Sequence, residues 1–479
     1  MGIVMKRVLS GFVLMLLVFF LVGCSANRYL NRKVKPELST SDNIADVFAN
    51  VESNNILNAL TILERKRVKT ILKAENNTKQ NDSGSIVPFL KSRGIGTKMK
   101  NNSFAKKTAK GPQDLEIHLG STEPDLVQFQ NQLNEQTAAI SYVVLKDSYG
   151  AFLIRNDSIQ FYDFAIPKDV INQTIANVKS RLINPYDGNG HIVGADQHLL
   201  QGLYVLYQAL FLPLEAELDG ATSLIVIPAG SLQLIPLQVL TRNAAKPDYL
   251  LEKYNFTYTS SLTSLRESLT QSKRNFSLLI YGDPAHSSLS GEGMLPRIPY
   301  AGKEAQLVHG LFPRSDLFMG SAATEKNLKE SIGDYAIVHL ATHGYVDSEN
   351  PRFSFLLTAD AQGEDGVFSI QEILQAKINA ELIILSACET AVGSGALPDN
   401  NVSGSMAMAF MSAGAESVVS SLWSVDDIST AKIMTSFYSR YGNERIGQSF
   451  RLAQLELMKT EGYSHPFFWG PFILYGSYL

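Results

Sequence analysis

Two side chains in this 479-residue sequence have the types and spacing to act together on a carbonyl: His343 and Cys388, 45 positions apart (388 − 343). Each follows a short apolar run that reads as a buried strand. The runs are Tyr335-Ala-Ile-Val-His-Leu-Ala-Thr-His-Gly344 and Glu381-Leu-Ile-Ile-Leu-Ser-Ala-Cys388. If the two strands are neighbours in a parallel sheet, both side chains emerge at one edge, where such sheets place their ligands and chemistry. A thiol is only slightly ionised at neutral pH. An adjacent imidazole raises the thiolate fraction and later returns a proton to a leaving amine. Gly344 permits a sharp exit after the histidine, and Ala387 leaves room for a substrate backbone. From position alone, a packed strand-end cysteine and a histidine that satisfies backbone groups fit the same residues equally well. His339 lies within its strand on the face of Ala341 and His343, and reads as packed or hydrogen-bonded rather than catalytic.

These runs belong to a series. Ser223-Leu-Ile-Val-Ile-Pro-Ala-Gly230 and Ser277-Leu-Leu-Ile-Tyr-Gly-Asp283 have the same form. Helical stretches alternate with them, one carrying Val170, Ile171, Ile175 and Val178 on one face and another spanning Leu199 to Leu212. The pattern predicts an α/β fold in which a parallel-rich sheet is flanked by helices. Ile140 to Leu145 and Ala151 to Ile154 flank the turn residues Asp147 to Gly150 and read as a hairpin. Leu224 to Gly230 and Leu382 to Cys388 are alike, which two related units in tandem would explain about as well as chance. Residues 41–75 read as a short helical hairpin or stalk, with Ile44, Val47, Phe48 and Val51 on one face and Ile56, Leu57, Leu60 and Leu63 on another. Residues 76–112 have linker composition, with seven basic and no acidic residues between Lys91 and Lys110. Such a run serves as a solvated tether, lies along anionic head groups or presents a cleavage site.

The N-terminus reads as an export signal: Lys6 and Arg7 precede an apolar run from Val8 to Val22, of about 15 residues, closed by Gly23 and Cys24. Leu21-Val22-Gly23-Cys24 resembles a bacterial lipobox, whose cysteine is acylated and becomes the new terminus; an uncleaved signal anchor is the other reading. Ser25 in place of Asp is compatible with the outer membrane. Only Cys24 and Cys388 occur in the chain. If Cys24 carries lipid, Cys388 has no intramolecular disulfide partner and is either buried and inert or kept for chemistry. The formal net charge of −4 argues against a nucleic-acid binder, which concentrates basic residues against phosphates. The eight histidines form no metal-ligand cluster. The glycines at 230, 344 and 393 fit no G-x-G-x-x-G spacing, which argues against a flavodoxin-like binder.

The strings His339-Leu-Ala-Thr-His-Gly344 and Leu385-Ser-Ala-Cys-Glu-Thr-Ala391 with Gly393 resemble the paired motifs of the CHAT domain, a caspase- and separase-like cysteine peptidase family. The likeness continues through Met408-Ala-Phe-Met-Ser-Ala-Gly-Ala415, Ser421-Leu-Trp-Ser-Val-Asp-Asp427, Phe437-Tyr438 and His465-Pro-Phe-Phe-Trp469. It extends upstream through Ile227-Pro-Ala-Gly-Ser-Leu-Gln-Leu-Ile-Pro236 and Ala209-Leu-Phe-Leu-Pro-Leu214, over roughly residues 130–479. The spacing of His343 and Cys388 is close to the roughly 50 residues found in caspases. The resemblance implies Cys388 as nucleophile, His343 as base and then acid, and the backbone N–H groups of Gly344 and Cys388 as oxyanion donors. It also implies a candidate specificity pocket for a basic P1 side chain from Glu389, Asp426 and Asp427. Asp347 and Glu349 are further carboxylates near the motifs. Asp426 and Asp427 equally suit the first turn of a helix over 428–438. Departures from the family pattern are Ser424 where proline is frequent, Gly470 where alanine is frequent, and Ala229 where aspartate is frequent.

The expected organisation is a lipoprotein signal over 1–24, a helical stalk and linker over 25–112, an upstream caspase-like half over 113–270 and a catalytic half over 271–479. The expected function is an envelope-anchored cysteine endopeptidase that needs no cofactor. Its partners would be a protein or peptide substrate, a membrane reached through lipidated Cys24, and a regulatory protein; nucleic acid is not among them. Proteins with this domain often carry tetratricopeptide repeats, and no 34-residue repeat occurs here. The alternative is a catalytically silent scaffold of the same fold.

Overall fold

The computed structural model describes residues 56–80, 126–164, 166–186, 194–262, 265, 276–286, 298–347, 353–387 and 405–476. Near the N-terminus come helices α1 (Ile56–Gln80) and α2 (Leu126–Gln132), followed by strands β1 (Thr137–Val144), β2 (Tyr149–Ile154) and β3 (Ile159–Asp163). Helices α3 (Lys168–Leu182), α4 (Gln197–Leu210) and α5 (Leu212–Glu215) lead to β4 (Ser223–Ile227) and β5 (Asn255–Tyr258). Then come β6 (Leu278–Pro284), α6 (Pro299–Leu311), β7 (Asp316–Gly320), α7 (Glu325–Ser331) and β8 (Ile337–Ala341). A small insert holds β9 (Gly344–Tyr345), β10 (Phe355–Leu357) and β11 (Val367–Ser369), with α8 (Ile370–Gln375) after it. The chain closes with β12 (Leu382–Ser386), α9 (Met406–Ala413), β13 (Ser417–Ser421), α10 (Asp427–Arg440), α11 (Ile446–Lys459), α12 (Pro466–Trp469) and β14 (Phe472–Gly476).

Eleven strands form one sheet in the order β3-β2-β1-β4-β5-β14-β13-β12-β8-β6-β7. This is the expected α/β architecture, and the predicted hairpin is present as β1–β2, with Ile140 opposite Leu153. The apolar runs at β1, β8 and β12 are buried along their whole length, as strands covered on both faces must be. The halves expected on either side of residue 270 share this single sheet, and apart from the antiparallel β1–β2–β3 edge its polarity reverses once. From β1 through β4 and β5 to β14 the strands are parallel. From β13 through β12, β8 and β6 to β7 they are again parallel. The two blocks meet at the antiparallel pair β13–β14. The carboxyl ends of the upstream block therefore lie at the opposite edge from those of β8, β12 and β13.

Residues 56–80, expected as part of a hairpin or stalk, form one helix laid on the sheet. Ile56, Ala59, Leu60, Ile62 and Leu63 are buried against Ala139, Val143, Phe152, Ile225 and Leu262. Burying each of the four larger side chains contributes roughly 1.5–3 kcal/mol. The contact carries a buried ion pair: Arg67 Nη1 lies 2.5 Å from Glu64 Oε1, and these side chains are 3 % and 0 % exposed. Arg67 also donates to Ser141 Oγ at 2.7 Å and to the carbonyl of Tyr142, while Glu64 accepts from the backbone N–H of Leu262 at 2.6 Å. On the opposite face, the alternate strand residues Ala138, Ile140 and Tyr142 share a core with Ile171 and Ile175 of α3 and Leu203 of α4.

Candidate functional site

The strands β8 and β12 are adjacent and parallel, with Leu382 opposite Ile337 and Ser386 opposite Ala341. His343 follows Ala341 by two residues in sequence, and Cys388 follows Ser386 by two. Cys388, Glu389, Glu349, Gly393 and Cys24 lie outside the described residues. His343 is partly exposed. Its backbone is held by the small insert: the Leu357 N–H donates to the His343 carbonyl at 2.9 Å, and Thr342 Oγ1 donates to the Leu357 carbonyl at 2.7 Å. Because His343 and Leu357 form the hydrogen-bonded step of the β9–β10 ladder, the next pair, Gly344 and Leu356, is the non-bonded step. The Gly344 N–H is therefore turned away from β10. Ala387 is buried, and its carbonyl accepts a hydrogen bond from Ser421 Oγ at 2.8 Å, tying the end of β12 to the end of β13.

Beyond β13 runs Trp423-Ser-Val-Asp-Asp427. Asp426 is the N-cap of α10, accepting from the Ser429 N–H at 2.8 Å, so the capping role read from sequence is present. Asp427, in the first turn, is partly buried. Burial raises its carboxyl above the ordinary aspartate range, and the nearby carboxylates of Asp426 and Glu304 raise it further, while His343 draws it back. Asp347, within the insert between β9 and β10, is buried, and its N–H donates to Ser354 Oγ at 3.0 Å.

Four polar residues near the candidate base carry no assignment from sequence. Glu304 of α6 is 2 % exposed and its Oε1 lies 3.0 Å from Nε2 of His339, which is fully buried. The other ring nitrogen of His339 lies 3.3 Å from the Tyr438 hydroxyl. His339 is thus enclosed behind the edge, as its place within the strand predicts. Burial holds the Tyr438 phenol well above its usual range. The loop after β6 adds His286, whose ring centre lies 6.4 Å from that of His343 at 77°, and whose Nδ1 donates to the Pro284 carbonyl at 2.9 Å. Asp283 precedes it with φ of 42°, the one left-handed non-glycine among the described residues, a strain typical of functional edges. The available signal for both was the Ser277–Asp283 run: β6 is the neighbour of β8 and ends at the same edge.

A cleft of about 570 Å³ opens along Trp423 to Ile428, walled by Ile183, Tyr186, Tyr300 and Phe467. A larger polar cleft of about 830 Å³ lies between α3 and α4, lined by Arg181, Asp196, His198 and His465 among others, and contains none of the expected site residues. Among the described residues no group of three or more His, Cys, Asp or Glu side chains could hold a metal ion. No single described helix is long and apolar enough to cross a membrane.

Two features explain departures from the family pattern. A Cβ at Gly470 would stand 2.6 Å from the Pro466 carbonyl and 2.7 Å from Val239 Cγ1, which excludes alanine as the chain is folded. Ala229 is fully buried, where an aspartate would need a partner.

Tetratricopeptide repeat protein 28 of Homo sapiens is 24 % identical over 330 residues, 57 % of this chain and 13 % of that protein. The protein of the same name from Mus musculus is 22 % identical over 362 residues, 64 % of this chain and 14 % of that protein. The chain therefore spans about an eighth of the length of these relatives. Among solved structures, the Saccharomyces cerevisiae separase–securin complex aligns with a TM-score of 0.43 at 10 % identity, over 73 % of this chain and 30 % of that one. The Arg-specific cysteine proteinase gingipain R aligns with a TM-score of 0.36 at 11 % identity, over 65 % of this chain and 74 % of that one. The CHAT domain family model matches residues 202–477, starting later than the roughly residue 130 expected, although β1 to β3 belong to the same sheet. With more than half of its length under that match, the chain belongs to the CHAT domain family.

Proposed function

We propose that this chain is a cysteine endopeptidase in which Cys388 and His343 form the catalytic dyad. The observation that supports this most directly is the register of β8 and β12, which pairs Ala341 with Ser386, each two residues before a candidate residue in sequence. In the proposed reaction His343 takes the Cys388 thiol proton and sulfur bonds the scissile carbonyl carbon. The resulting oxyanion is held by the Gly344 and Cys388 N–H groups, each such donor contributing about 3–4 kcal/mol of transition-state stabilisation. The C–N bond then breaks as His343 protonates the amine; water attacks the thioester with His343 as base, and the C–S bond breaks to release the acid while His343 returns the proton to sulfur. The Gly344 N–H faces away from β10, as an oxyanion donor must. Glu389, Asp426 and Asp427 form the proposed P1 pocket for a basic side chain; Asp426 and Asp427 line one cleft. Acylated Cys24 would anchor the enzyme to a bacterial cell envelope, and a regulatory protein would order its loops.

An electrophilic acyloxymethyl-ketone probe with a basic P1 group tests the dyad on the full chain. Wild type is expected to be labelled, and Cys388→Ala and His343→Ala are not. Unlabelled wild type under reducing conditions, across a panel of P1 groups, would favour the silent scaffold. Metabolic fatty-acid label should disappear in Cys24→Ala; its persistence refutes the lipid anchor.

A further inference from the structure

Helix α6 is apolar on two faces. Its inner face buries Ala301, Ala305 and Val308, while its outer face carries Tyr300, Leu307 and Leu311 into water at 44, 43 and 43 % exposure. A surface helix needs one apolar face to meet the core, and a second apolar stripe calls for a second neighbour. Tyr300 and Leu307 line a groove of about 580 Å³ together with Ile428 of α10, which is 41 % exposed. Helix α10 packs against both α6 and α11, so it forms the floor and they form the walls. With Leu311 one turn further along α6, four of the nine large hydrophobic side chains that the described residues leave in water belong to this face. Single exposed apolar residues are ordinary, whereas several gathered on one concave surface mark a binding site. The groove is also basic. Lys303 and Lys432 line it, and neither is paired with a carboxylate among the described residues; Lys432 stands 5.6 Å over the Tyr463 ring. The carboxylate in the lining, Glu456, is already held by Arg440 Nη2 and Ser436 Oγ, each at 2.7 Å, which leaves both lysines uncompensated.

We infer that this groove receives an amphipathic helix of a partner protein. The apolar stripe of that helix lies along Tyr300, Leu307 and Ile428, and its flanking Asp or Glu side chains stand against Lys303 and Lys432. Shape selects a helix: the apolar side chains wall a trough between helices, which a ridge of side chains fills and a flat lipid surface does not. From Tyr300 to Leu311 the stripe runs about 16 Å at 1.5 Å per residue, or about three turns of an occupant. Grooves of this kind are filled by anchors at i, i+3 or i+4, and i+7. Charge selects the flanks, because carboxylates answer the two uncompensated ammonium groups and basic flanks are repelled by them. The occupant lies over the two helices whose inner sides enclose His339 of β8, through Glu304 of α6 and Tyr438 of α10. This partner surface goes beyond the peptidase reading and does not depend on it.

The test is a selection on the full chain from a displayed library of helical peptides of about 15 residues, long enough to hold a helix. Each peptide carries an apolar stripe drawn from Leu, Ile and Phe, and its flanking positions vary among Glu, Gln and Lys. Selection should enrich Glu at the flanks. The best peptide, synthesised with a fluorescent label and titrated by anisotropy, should bind about tenfold more weakly to the Leu307→Ser/Ile428→Ser double variant and to the Lys303→Glu/Lys432→Glu double variant. All four side chains are exposed, so the urea midpoints should stay close to wild type. The same peptide with Lys in place of Glu should regain affinity for the Lys303→Glu/Lys432→Glu variant and for no other, which damage to the surface alone cannot produce. Binding is read without cleavage, so the result stands whether or not the chain hydrolyses peptides. No preference for Glu over Lys, binding that survives both double variants, or failure of the charge exchange overturns the inference. Either rival use of the face overturns it as well. One is a wild-type dimer, measured by light scattering, that Leu307→Ser/Ile428→Ser dissolves. The other is binding of Cys24→Ala protein to phosphatidylglycerol vesicles that the same pair of changes abolishes.

Discussion

The upstream and downstream blocks of the sheet finish their carboxyl edges in opposite ways. In the upstream block β4 runs into Pro228-Ala229-Gly230, and the turn is sealed by Tyr149. Its hydroxyl accepts from the Ser231 N–H at 3.1 Å and donates to Asn172 Oδ1 at 2.8 Å. Gly230 has φ of 54°, and a Cβ there would strike that hydroxyl at 2.7 Å. The seal consists of buried apolar groups and neutral hydrogen bonds. In the downstream block the equivalent edge carries a partly exposed imidazole, a second histidine beside it, a left-handed aspartate and a carboxylate raised by burial and by its neighbours. One edge stabilises the fold; the other stores charge and strain where a ligand could relieve them. This contrast explains why chemistry is expected at one edge only, even though both blocks use the same strand-and-helix construction.

The largest effects should separate the two blocks cleanly. On the peptidase reading, His343→Ala lowers kcat/KM by about 10²–10⁴, the usual contribution of a general base, with little change in the urea midpoint because the side chain is partly exposed. Arg67→Ala should do the opposite. It leaves Glu64 buried without its cation and costs roughly 3–5 kcal/mol by urea denaturation. The folded fraction should still label with the probe at the wild-type rate. If Arg67→Ala slowed labelling of folded protein as much as His343→Ala does, the two blocks would not be functionally separate.

How much of this could be read from the chain follows from the range of the interactions concerned. Strands β4, β6, β8 and β12 are legible because each is a continuous apolar run, and the Asp426 cap is legible because its partner, Ser429, is three residues away. Local pattern cannot reveal that β14 inserts between β5 and β13, because its Tyr475 pairs with Tyr258 from more than 200 residues upstream. The reversal of polarity depends on that insertion. The apolar face of α1 is visible in the sequence, but nothing local marks Glu64 and Arg67 as buried until Leu262 and Ser141 are placed beside them. At the site, His343 stands out through its motif, whereas Glu304, His286 and Asp283 depend on which strands are neighbours.

Smaller effects probe the junction between the blocks. His465 caps α12 by accepting from the Phe467 N–H through Nδ1 at 3.0 Å, and burial pushes its pKa down to about 4. A histidine held neutral when folded binds its proton more readily when unfolded. The stability it contributes is complete above pH 6.5 and is lost as pH falls from 6.5 to 4, by about 3 kcal/mol. Denaturant melts at pH 7, 5 and 4 should show that loss, and His465→Asn, which keeps a cap acceptor without titrating, should flatten it. Gly470→Ala should cost roughly 1–3 kcal/mol, because the new Cβ meets a backbone oxygen and Val239 of the upstream block. A neutral Gly470→Ala would mean that the junction is more loosely packed than the close approach requires.

The smallest expected change bears most directly on the contrast between the edges. Asp427→Asn removes a carboxylate whose ionisation burial and the neighbouring Asp426 and Glu304 disfavour. Because the folded-state pKa of Asp427 is raised, its destabilising charge is absent at low pH and grows as pH rises through that value. The substitution should therefore stabilise the protein at pH 7, by under about 1 kcal/mol, and leave it unchanged near pH 3. The same substitution should weaken binding of Arg-containing peptides. Stability gained together with affinity lost is what a residue kept for its ligand produces. A residue kept for folding would lose stability on substitution, as Arg67 is expected to, so equilibrium melts of Asp427→Asn and Arg67→Ala at pH 7 should move in opposite directions.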